Sequence, residues 1–396
     1  MVNMGDQSES DEAVGETTGT WNDERHESPQ TPAALVPHDG PVSGQPIMLR
    51  DKGDYSVMVA EAGSGFRQPM RGFDPDYVDI VDYIVRITHR IWEERGVGLI
   101  YDTYGHNISL WTTEGLAIGR EMMVANTLRT LAAYPGRKIY VEDVVWSGNE
   151  DDGFHTSMRA VSVGYNTGYS QYGPPTGRRV VRRGIANCLV KENRIIEEWI
   201  THDELHVVRQ LGFDPFEAAE RAARADAARG KIARNGDHER VLGQQTPKPY
   251  PAKTGTGFDV EDFLRRAMHE IWNQRLLNKI DDYYVADFRG HASSGKELYG
   301  LGDLKVHSLA LLAAFPDAVM TFEYLYWLTD TARGEYRTAM RWALTGTHDG
   351  PGFYGPPTGK QVYLMGITQH VIRNEKIVEE WSVFDEFALL KQLAVV

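Results

Sequence analysis

The chain contains one 33-residue pattern twice. Residues 172–204 read YGPPTGRRVVRRGIANCLVKENRIIEEWITHDE, and residues 354–386 read YGPPTGKQVYLMGITQHVIRNEKIVEEWSVFDE. At this offset of 182 residues (from 172 to 354), 15 of the 33 aligned positions are identical, whereas about two would match by chance. A period of this length is typical of an independently folding domain and not of a solenoid repeat. The sequence therefore predicts a duplicated domain.

Composition limits the classes of protein to which the chain can belong. It has 396 residues, 41% of them hydrophobic, which is enough for two or three domains with cores. The sequence shows neither an apolar run of 18 residues nor a basic start followed by an apolar core. We therefore expect no membrane span, no secretory signal and a cytoplasmic location. The single cysteine, Cys188, excludes a disulfide framework within the chain.

The net charge of -14 is unevenly distributed. Residues 1–45 contain nine acidic residues and one basic residue, Arg25, so about -6 remains for the rest of the chain. A mildly acidic body without a basic stripe argues against a nucleic-acid partner. The low apolar content of residues 1–45 predicts a disordered acidic tail.

The organisation that follows from the duplication has five parts. After the tail, residues 46–75 are expected to form an arm that lies on the first domain or on a partner subunit. A linker with a helix, predicted as exposed at 215–235, occupies residues 214–257. The two domains are residues 76–213, called the first repeat below, and residues 258–396, called the second repeat.

Each repeat predicts helices first and strands afterwards. Apolar residues recur at steps of three and four in 74–95 and 259–277, and a second helix is expected at 120–133 and 302–314. Asp74 and Pro75 predict the first cap and turn. Runs rich in β-branched and aromatic residues predict strands at 138–147, 154–166, 178–190, 194–203, 318–329, 335–347, 360–373 and 376–387. This order predicts an α+β unit with helices on one face of a curved antiparallel sheet.

Five motifs of the second repeat resemble SnoaL-like polyketide cyclases and the related ester cyclases, which have a nuclear transport factor 2-like fold. They are Trp272-Asn273, Ala314-Phe315-Pro316-Asp317, THDG at 347–350, GPPTG at 355–359 and IVEEW at 377–381. The first repeat is similar at Trp92, Tyr134-Pro135, 173–177 and 196–199, but reads YNTG at 165–168. The resemblance implies two cone-shaped domains, each a curved sheet and N-terminal helices around a pocket.

The resemblance also implies a mechanism, and the sequence departs from it. The cyclases of this family use neither metal nor nucleotide, and a carboxylate directly after the strand Trp acts as general base or acid in an aldol closure. That position is Ser382 after Trp381, and Ile200 after Trp199. Neither side chain takes up a proton at neutral pH, so the family mechanism does not transfer unchanged.

Strand alternation offers other acid and base groups. If the cavity face of the family is kept, Glu380 and Ser382 point inwards, and a hairpin at residues 374–375 sets His370 opposite Glu380. Such a pair is suited to moving a proton near pH 7. The first repeat has Cys188 and Glu198 at these places, and His202 is the nearest substitute. If the opposite face is inside, the acids are Asp385 and Asp203, with helix capping as their structural alternative.

The remaining candidates would bind a substrate. The equivalent arginines Arg341 and Arg159 either hold a substrate carboxylate or carbonyl or pair with a buried acid. Trp381 and Trp199 belong to the core or to an aromatic pocket wall. His291 and Tyr283 lie where pockets of the family open, and Ser382 and His202 complete the set. No zinc spacing, Walker loop or dinucleotide fingerprint is present in the sequence, so we expect neither a metal nor a cofactor.

Two functions are compatible with these residues. The first is a cofactor-independent enzyme acting on a small carbonyl compound, aromatic or polyketide-like, by aldol cyclisation, retro-aldol carbon-carbon cleavage or hydrolysis. The second is a non-catalytic small-molecule-binding or assembly module with a degenerate pocket. His370, Arg341 and Asp385 favour catalysis in the second repeat. We expect the two domains to pair sheet to sheet and the chain to form a homodimer.

Overall fold

The computed structural model describes residues 44–46, 67–230 and 247–394. Almost all of the predicted acidic tail and most of the predicted arm lie outside these ranges. The helices of the first part are α1 (Ile80–Trp92), α2 (Ile100–Thr103), α3 (Arg120–Ala133), α4 (Glu204–Leu211) and α5 (Pro215–Ala228). Those of the second part are α6 (Val260–Met268), α7 (Ile280–Tyr283), α8 (Gly300–Ala314) and α9 (Glu386–Ala394).

The strands form one sheet per repeat. In the first repeat they are β2 (Tyr104–Thr112), β3 (Gly115–Ile118), β4 (Lys138–Asn149), β5 (Gly153–Tyr165), β6 (Arg179–Lys191) and β7 (Arg194–His202). In the second they are β8 (Tyr284–Ala292), β9 (Lys296–Tyr299), β10 (Val319–Asp330), β11 (Glu335–Thr347), β12 (Gln361–Arg373) and β13 (Lys376–Phe384). The sheet orders are β3-β2-β7-β6-β5-β4 and β1-β10-β11-β12-β13-β8-β9, where β1 is Gln45–Pro46. The α+β prediction of two equivalent units is confirmed.

The prediction of purely antiparallel sheets is wrong at one edge of each sheet. Strand β2 runs parallel to β7, and β8 runs parallel to β13. These segments have no strand signature because they are polar and contain Gly105 and Gly290. Each strand directly follows a short helix and lies beside the last strand of its repeat, β7 or β13. The two neighbours start from the same end of the sheet and therefore run parallel. The sheets are therefore mixed.

The first helix begins later than the sequence predicted. Asp79, not Asp74, is its N-cap, since the Asp79 carboxylate accepts a hydrogen bond from the backbone N–H of Asp82 at 2.7 Å. Asp74 instead accepts from the backbone N–H of Asp76 in the preceding turn. In the second repeat Asp259 caps α6, and a π-helical turn, His269–Asn273, continues it. That turn places Trp272 against the sheet.

The predicted arm and the linker helix both contact the repeats. Pro46 of the arm pairs with Thr329 at the edge of the second sheet, next to Gln45 of the predicted tail, whereas Phe73 of the arm packs on Tyr83 and Phe154 of the first repeat. Helix α5 was predicted as exposed, which is wrong for one of its faces. Its alanines Ala218 and Ala219 are buried, and they let α5 approach α9 closely.

Each sheet has two covered faces. One face packs on the helices of its own repeat and forms the main core. The opposite faces of the two sheets pack on each other, with Val145 against Tyr326 and Leu328, and Ile185 against Ile367 and Val383. The predicted pairing of the repeats, sheet to sheet, thus occurs within one chain. Among the described residues, no helix is both long and apolar enough to cross a membrane.

Candidate functional site

A cavity lies between the sheet and the helices of the second repeat. Its volume is about 30 Å³, which is enough for at least one water molecule. The lining is mainly apolar and includes three methionines, which are flexible enough to adapt to a ligand. The lining residues are Met268, Trp272, Gly290, His291, Ala292, Leu298, Leu304, His307, Leu311, Met320, Met340, Trp342, Thr368, Glu380, Ser382 and Phe384.

Glu380 is the acidic group of this cavity. Strand alternation along β13 turns Glu380, Ser382 and Phe384 to the cavity and Trp381 and Val383 to the other repeat. Burial raises the pKa of Glu380 to about 7 because the charged form is desolvated, although the Tyr284 hydroxyl favours that form by donating to Oε2 at 2.9 Å. Glu380 is therefore divided between acid and carboxylate near neutral pH.

His370 lies behind Glu380 and does not line the cavity. Strands β12 and β13 pair His370 with Glu380, and Asn374 and Glu375 of the connecting turn have positive φ. His370 Nε2 lies 3.5 Å from Glu380 Oε2, and Nδ1 lies 2.9 Å from Thr338 Oγ1. Burial lowers the pKa of His370 to about 3, so the ring is neutral at pH 7 and the pair carries no opposite charges. His370 therefore contacts Glu380 without lining the cavity.

A chain of hydrogen bonds fixes the hydroxyl of Ser382. Trp342 Nε1 donates to Thr368 Oγ1 at 2.9 Å, and Thr368 Oγ1 lies 2.9 Å from Ser382 Oγ. The Thr368 oxygen accepts from the indole N–H and keeps a second lone pair, so either hydroxyl can donate in the bond between Thr368 and Ser382. When Thr368 donates, the Ser382 hydrogen is available to a ligand in the cavity.

Sequence reasoning missed two cavity residues of chemical interest. His307 on α8 lines the cavity, and burial together with Lys296 lowers its pKa to about 4. Trp342 holds Thr368, as described. Neither position belongs to a motif, and the contacts that bring α8 and β11 to the cavity are distant in sequence.

The predicted arginine and tryptophan site lies elsewhere. The guanidinium of Arg159 lies 3.6 Å from the ring centroid of Trp381, and that of Arg341 lies 3.8 Å from the ring centroid of Trp199. All four residues are in the interface between the sheets, because their strand positions alternate with those that face the cavity. Their assignment to substrate binding is therefore corrected.

His291 is part of the cavity lining but has protein partners, and Tyr283 does not line the cavity. The ring of His291 stacks on Trp381 at 5.0 Å, and its nitrogens lie 3.0 Å from Glu379 and 2.5 Å from Glu297. The hydroxyl of Tyr283 donates to Glu270 Oε2 at 2.8 Å. The neighbouring Tyr284, which binds Glu380, is the tyrosine of the site.

Asp385 and Asp203 are capping residues. Asp385 accepts from the backbone N–H groups of Phe387 and Ala388, both at 2.9 Å. Asp203 caps α4 and also accepts from the backbone N–H groups of Ser294 and Gly295 in the second repeat, at 2.7 and 2.9 Å. Helix capping, their structural alternative, accounts for the Asp385 contacts, whereas Asp203 both caps its helix and bonds to the second repeat.

The first repeat retains only part of the constellation. Glu198 pairs with Cys188, and burial raises the pKa of Glu198 to about 7. Burial also raises the pKa of Cys188, so its thiol is protonated at neutral pH. Ile200 stands where the second repeat has Ser382, and His202 stands where it has Phe384. Within the described residues, no group of three His, Cys, Asp or Glu side chains is placed to hold a metal ion.

Comparison with known proteins gives matches over single repeats. The family model described as SnoaL-like polyketide cyclase matches residues 262–393. No curated protein sequence matches the chain. Many solved structures do, and the three described below each match over about a third of the chain. A candidate SnoaL-like polyketide cyclase from Jannaschia sp. CCS1 is 18% identical over 36% of this chain and 99% of its own, with a TM-score of 0.31.

Two further structures extend this pattern. AclR, a candidate hydroxylase from Streptomyces galilaeus, is 25% identical over 34% of this chain and 83% of its own, with a TM-score of 0.29. A SnoaL-like polyketide cyclase from Agrobacterium tumefaciens str. C58 is 19% identical over 35% of this chain and 99% of its own, also with a TM-score of 0.29. The second repeat, which holds the cavity, is thus similar over residues 262–393 to the family described as SnoaL-like polyketide cyclase.

Proposed function

We propose that the second repeat is an enzyme that transfers protons on a small carbonyl compound without a cofactor. The observation that carries this proposal is Glu380, a carboxyl group in an apolar cavity whose pKa is raised to about 7 by burial. A general base works best when its pKa lies near the operating pH. The family match at residues 262–393 supports the same reaction class.

The proposed reaction begins with Glu380 as carboxylate. It removes a proton from the carbon next to the substrate carbonyl, and the electron pair of that C–H bond forms an enolate. Glu380 and Ser382 are two residues apart on one face of β13, so their side chains are about 7 Å apart along the strand. Ser382 is therefore placed to donate a hydrogen bond to the enolate oxygen while Glu380 acts on the adjacent carbon.

The second step forms or breaks a carbon-carbon bond. The enolate carbon attacks a second carbonyl of the same substrate, and the resulting alkoxide takes the proton back from Glu380. The reverse sequence is retro-aldol cleavage, and ester hydrolysis would use Glu380 to activate water. Aldol cyclisation of an aromatic or polyketide-like substrate is our first choice because the second repeat matches the SnoaL-like polyketide cyclase model.

The alternative is a non-catalytic binding or assembly module. Two observations favour it: the family carboxylate is replaced by Ser382 and Ile200, and the cavity holds only about 30 Å³. A substrate of polyketide size needs a larger pocket, so lining side chains such as Met268, Met320 and Met340 would have to move. Binding without conversion is the property that distinguishes this alternative.

The test is a screen of the full chain against polyketide, lignin-derived aromatic and ester compounds. Ligands that raise the melting temperature are incubated with the protein without added cofactor, and products are measured by mass spectrometry. Conversion that is lost in Glu380→Gln and kept in Glu198→Gln, the matched change in the first repeat, supports the enzyme. Binding with no conversion by the unaltered chain supports the module.

The partner and location predictions belong to the same proposal. The protein binds a small molecule in the second repeat and acts in the cytoplasm. The reducing conditions there would keep its single cysteine as a thiol. A homodimer would need a surface other than the paired sheet faces, because these are already buried within the chain. Light scattering on the purified chain measures this directly.

A further inference from the structure

The first repeat carries positive charge where the second repeat is apolar. Arg182 and His202 match Leu364 and Phe384 at the offset of 182 residues, and Arg137 matches Ala318 at the offset of 181 that aligns β4 with β10. The three residues of the second repeat are buried in its core. Exchange of three core positions for two guanidinium groups and an imidazole is costly unless the new groups have a partner.

The three basic side chains lie on one face of the first sheet. Arg182 and Gly184 are two residues apart on β6, and Gly184 pairs with His202. A Cβ added to Gly184 would lie 2.4 Å from Cδ2 of His202, so the ring crosses directly over that glycine. Arg137 lies over Gly164, which is two residues from Ser162, the partner of Arg182. This is the face that lines the cavity in the second repeat.

Arg137 has no ionic partner in the described part of the chain. Its residue exposure is 8%, and its guanidinium makes neither a hydrogen bond nor an ion pair there; it stacks over Trp92 at 4.5 Å. The two carboxylates that act electrostatically on Arg137, Glu204 and Glu93, have other partners. Glu204 binds Arg182 at 2.8 Å and also the Tyr172 hydroxyl, and Glu93 binds Lys138 at 2.8 Å.

Further groups around Arg137 point to the same missing partner. The hydroxyl of Tyr134 and Nε of Arg137 are buried and have no hydrogen-bond partner among the described residues. Burial and the neighbouring Arg182 lower the pKa of Arg137 to about 9, and burial and both arginines lower that of His202. The side chains of Arg182 and His202 keep 20% and 27% exposure, so the cluster is open to solvent on their side.

We propose that this face of the first repeat binds a small oxyanion, a carboxylate or a phosphate, held by Arg137, Arg182, His202 and Tyr134. A planar guanidinium with several free N–H groups is suited to two-point binding of such an anion. The anion would neutralise Arg137 and satisfy the Tyr134 hydroxyl. The first repeat is then a binding domain with its own ligand, separate from the acid/base cavity of the second repeat.

The experiment measures melting temperature and binding of the full chain with inorganic phosphate, with acetate and with chloride at equal ionic strength. We expect phosphate or acetate to raise the melting temperature more than chloride does, by mass action. The more effective of the two identifies the class of ligand. If neither exceeds chloride, the proposal is overturned, whatever the variants show.

Two variants locate the site. Arg137→Met removes the unpaired charge at similar volume and should weaken binding by about tenfold or more, the value of one charge-assisted hydrogen bond. Arg179→Met is the control, since Arg179 is exposed on the same strand as Arg182 and faces away. Equal binding by Arg137→Met and the unaltered chain would overturn the proposal. If that variant does not fold, Arg137→Lys, which keeps the charge but not the two-point geometry, should bind more weakly.

Discussion

Arg159 of the first repeat lies over the ring of Trp381 of the second, and Arg341 of the second lies over Trp199 of the first. The two contacts are equivalent at the offset of 182 residues. Arg159 Nε also lies 3.0 Å from Glu142, and its Nη1 donates to Gln369 at 2.5 Å. Each repeat thus places a buried cation on an aromatic ring of the other.

These two contacts across the interface predict that the two repeats unfold together. Arg159→Ala should lower the free energy of unfolding by about 3 kcal/mol, because it removes a buried cation from the Trp381 ring and takes one partner each from Glu142 and Gln369. Urea denaturation measures the loss. Arg179→Ala, at an exposed position of the same repeat, should change stability by less than about 0.5 kcal/mol. Equal effects of the two changes would show that the contact contributes little.

The raised pKa of Glu380 predicts the pH dependence of turnover. If the carboxylate is the base, the rate should rise with pH, with an apparent pKa of about 7, and level off above it. His370 does not titrate in this range because its pKa is lowered to about 3. A pH-rate profile of a converted substrate checks this, and Glu380→Gln should leave only background conversion. A rate that falls as pH rises through 7 would assign Glu380 the role of acid.

The same shift predicts a pH dependence of stability. The folded-state pKa of Glu380 lies above the ordinary value of 4.5, so the folded protein binds more protons than the unfolded one between about pH 4.5 and 7. Stability should therefore fall as pH rises through that window, by up to about 3 kcal/mol. The free energy of unfolding of Glu380→Gln, relative to that of the unaltered chain, should therefore be higher at pH 8 than at pH 5. Glu217→Gln, on an exposed part of α5, should show no such change.

His370 is expected to act through Glu380. His370→Ala should reduce turnover strongly and admit water beside Glu380, so the inflection of the pH-rate profile should move below 7. Cys188→Ala changes the matching position of the first repeat and should leave turnover unaltered. Comparable losses in both variants would contradict a site confined to the second repeat. A loss of stability without a shifted inflection would reduce His370 to a packing residue.

The two capping aspartates predict unequal costs. Asp203→Ala should lower the free energy of unfolding by about 3 kcal/mol, because it removes a helix cap and two bonds to the turn at Ser294 and Gly295. Asp385→Ala removes only the cap contacts of its own helix and should cost about 1 kcal/mol. Chemical denaturation of both variants gives the difference. A larger cost for Asp385 would contradict the role of Asp203 between the repeats.

The sequence predicted the elements whose signals are local. The strand at 335–347 and the helix at 120–133 have the predicted bounds. Strand composition and helical periodicity are both visible within a few residues of sequence. Strands β2 and β8 were missed since they are polar and gain their stability from pairing with β7 and β13. The cap at Asp79 was missed because Asp74 offers the same chemistry five residues earlier.

The site was predictable to the extent that strand alternation and one hairpin determine it. These placed Glu380 and Ser382 on one face and His370 opposite Glu380. Arg341 and Trp381 were misassigned, because sequence alone does not show that the opposite sheet face is covered by the other repeat. His307 and Trp342 reach the cavity through tertiary packing, which leaves no signal in the order of residues.

The reciprocal Arg–Trp interface has a consequence for how such a chain can change. In a symmetric pair of identical subunits, every substitution appears on both sides of the contact at once. Here the two sides vary separately: Gln369 binds Ser157 across the interface, whereas the side chain of Asn187 at the matching position has no partner among the described residues. Because the two halves are joined in one chain, neither half has to be complementary to a copy of itself. One half can therefore diverge while the other retains the cavity.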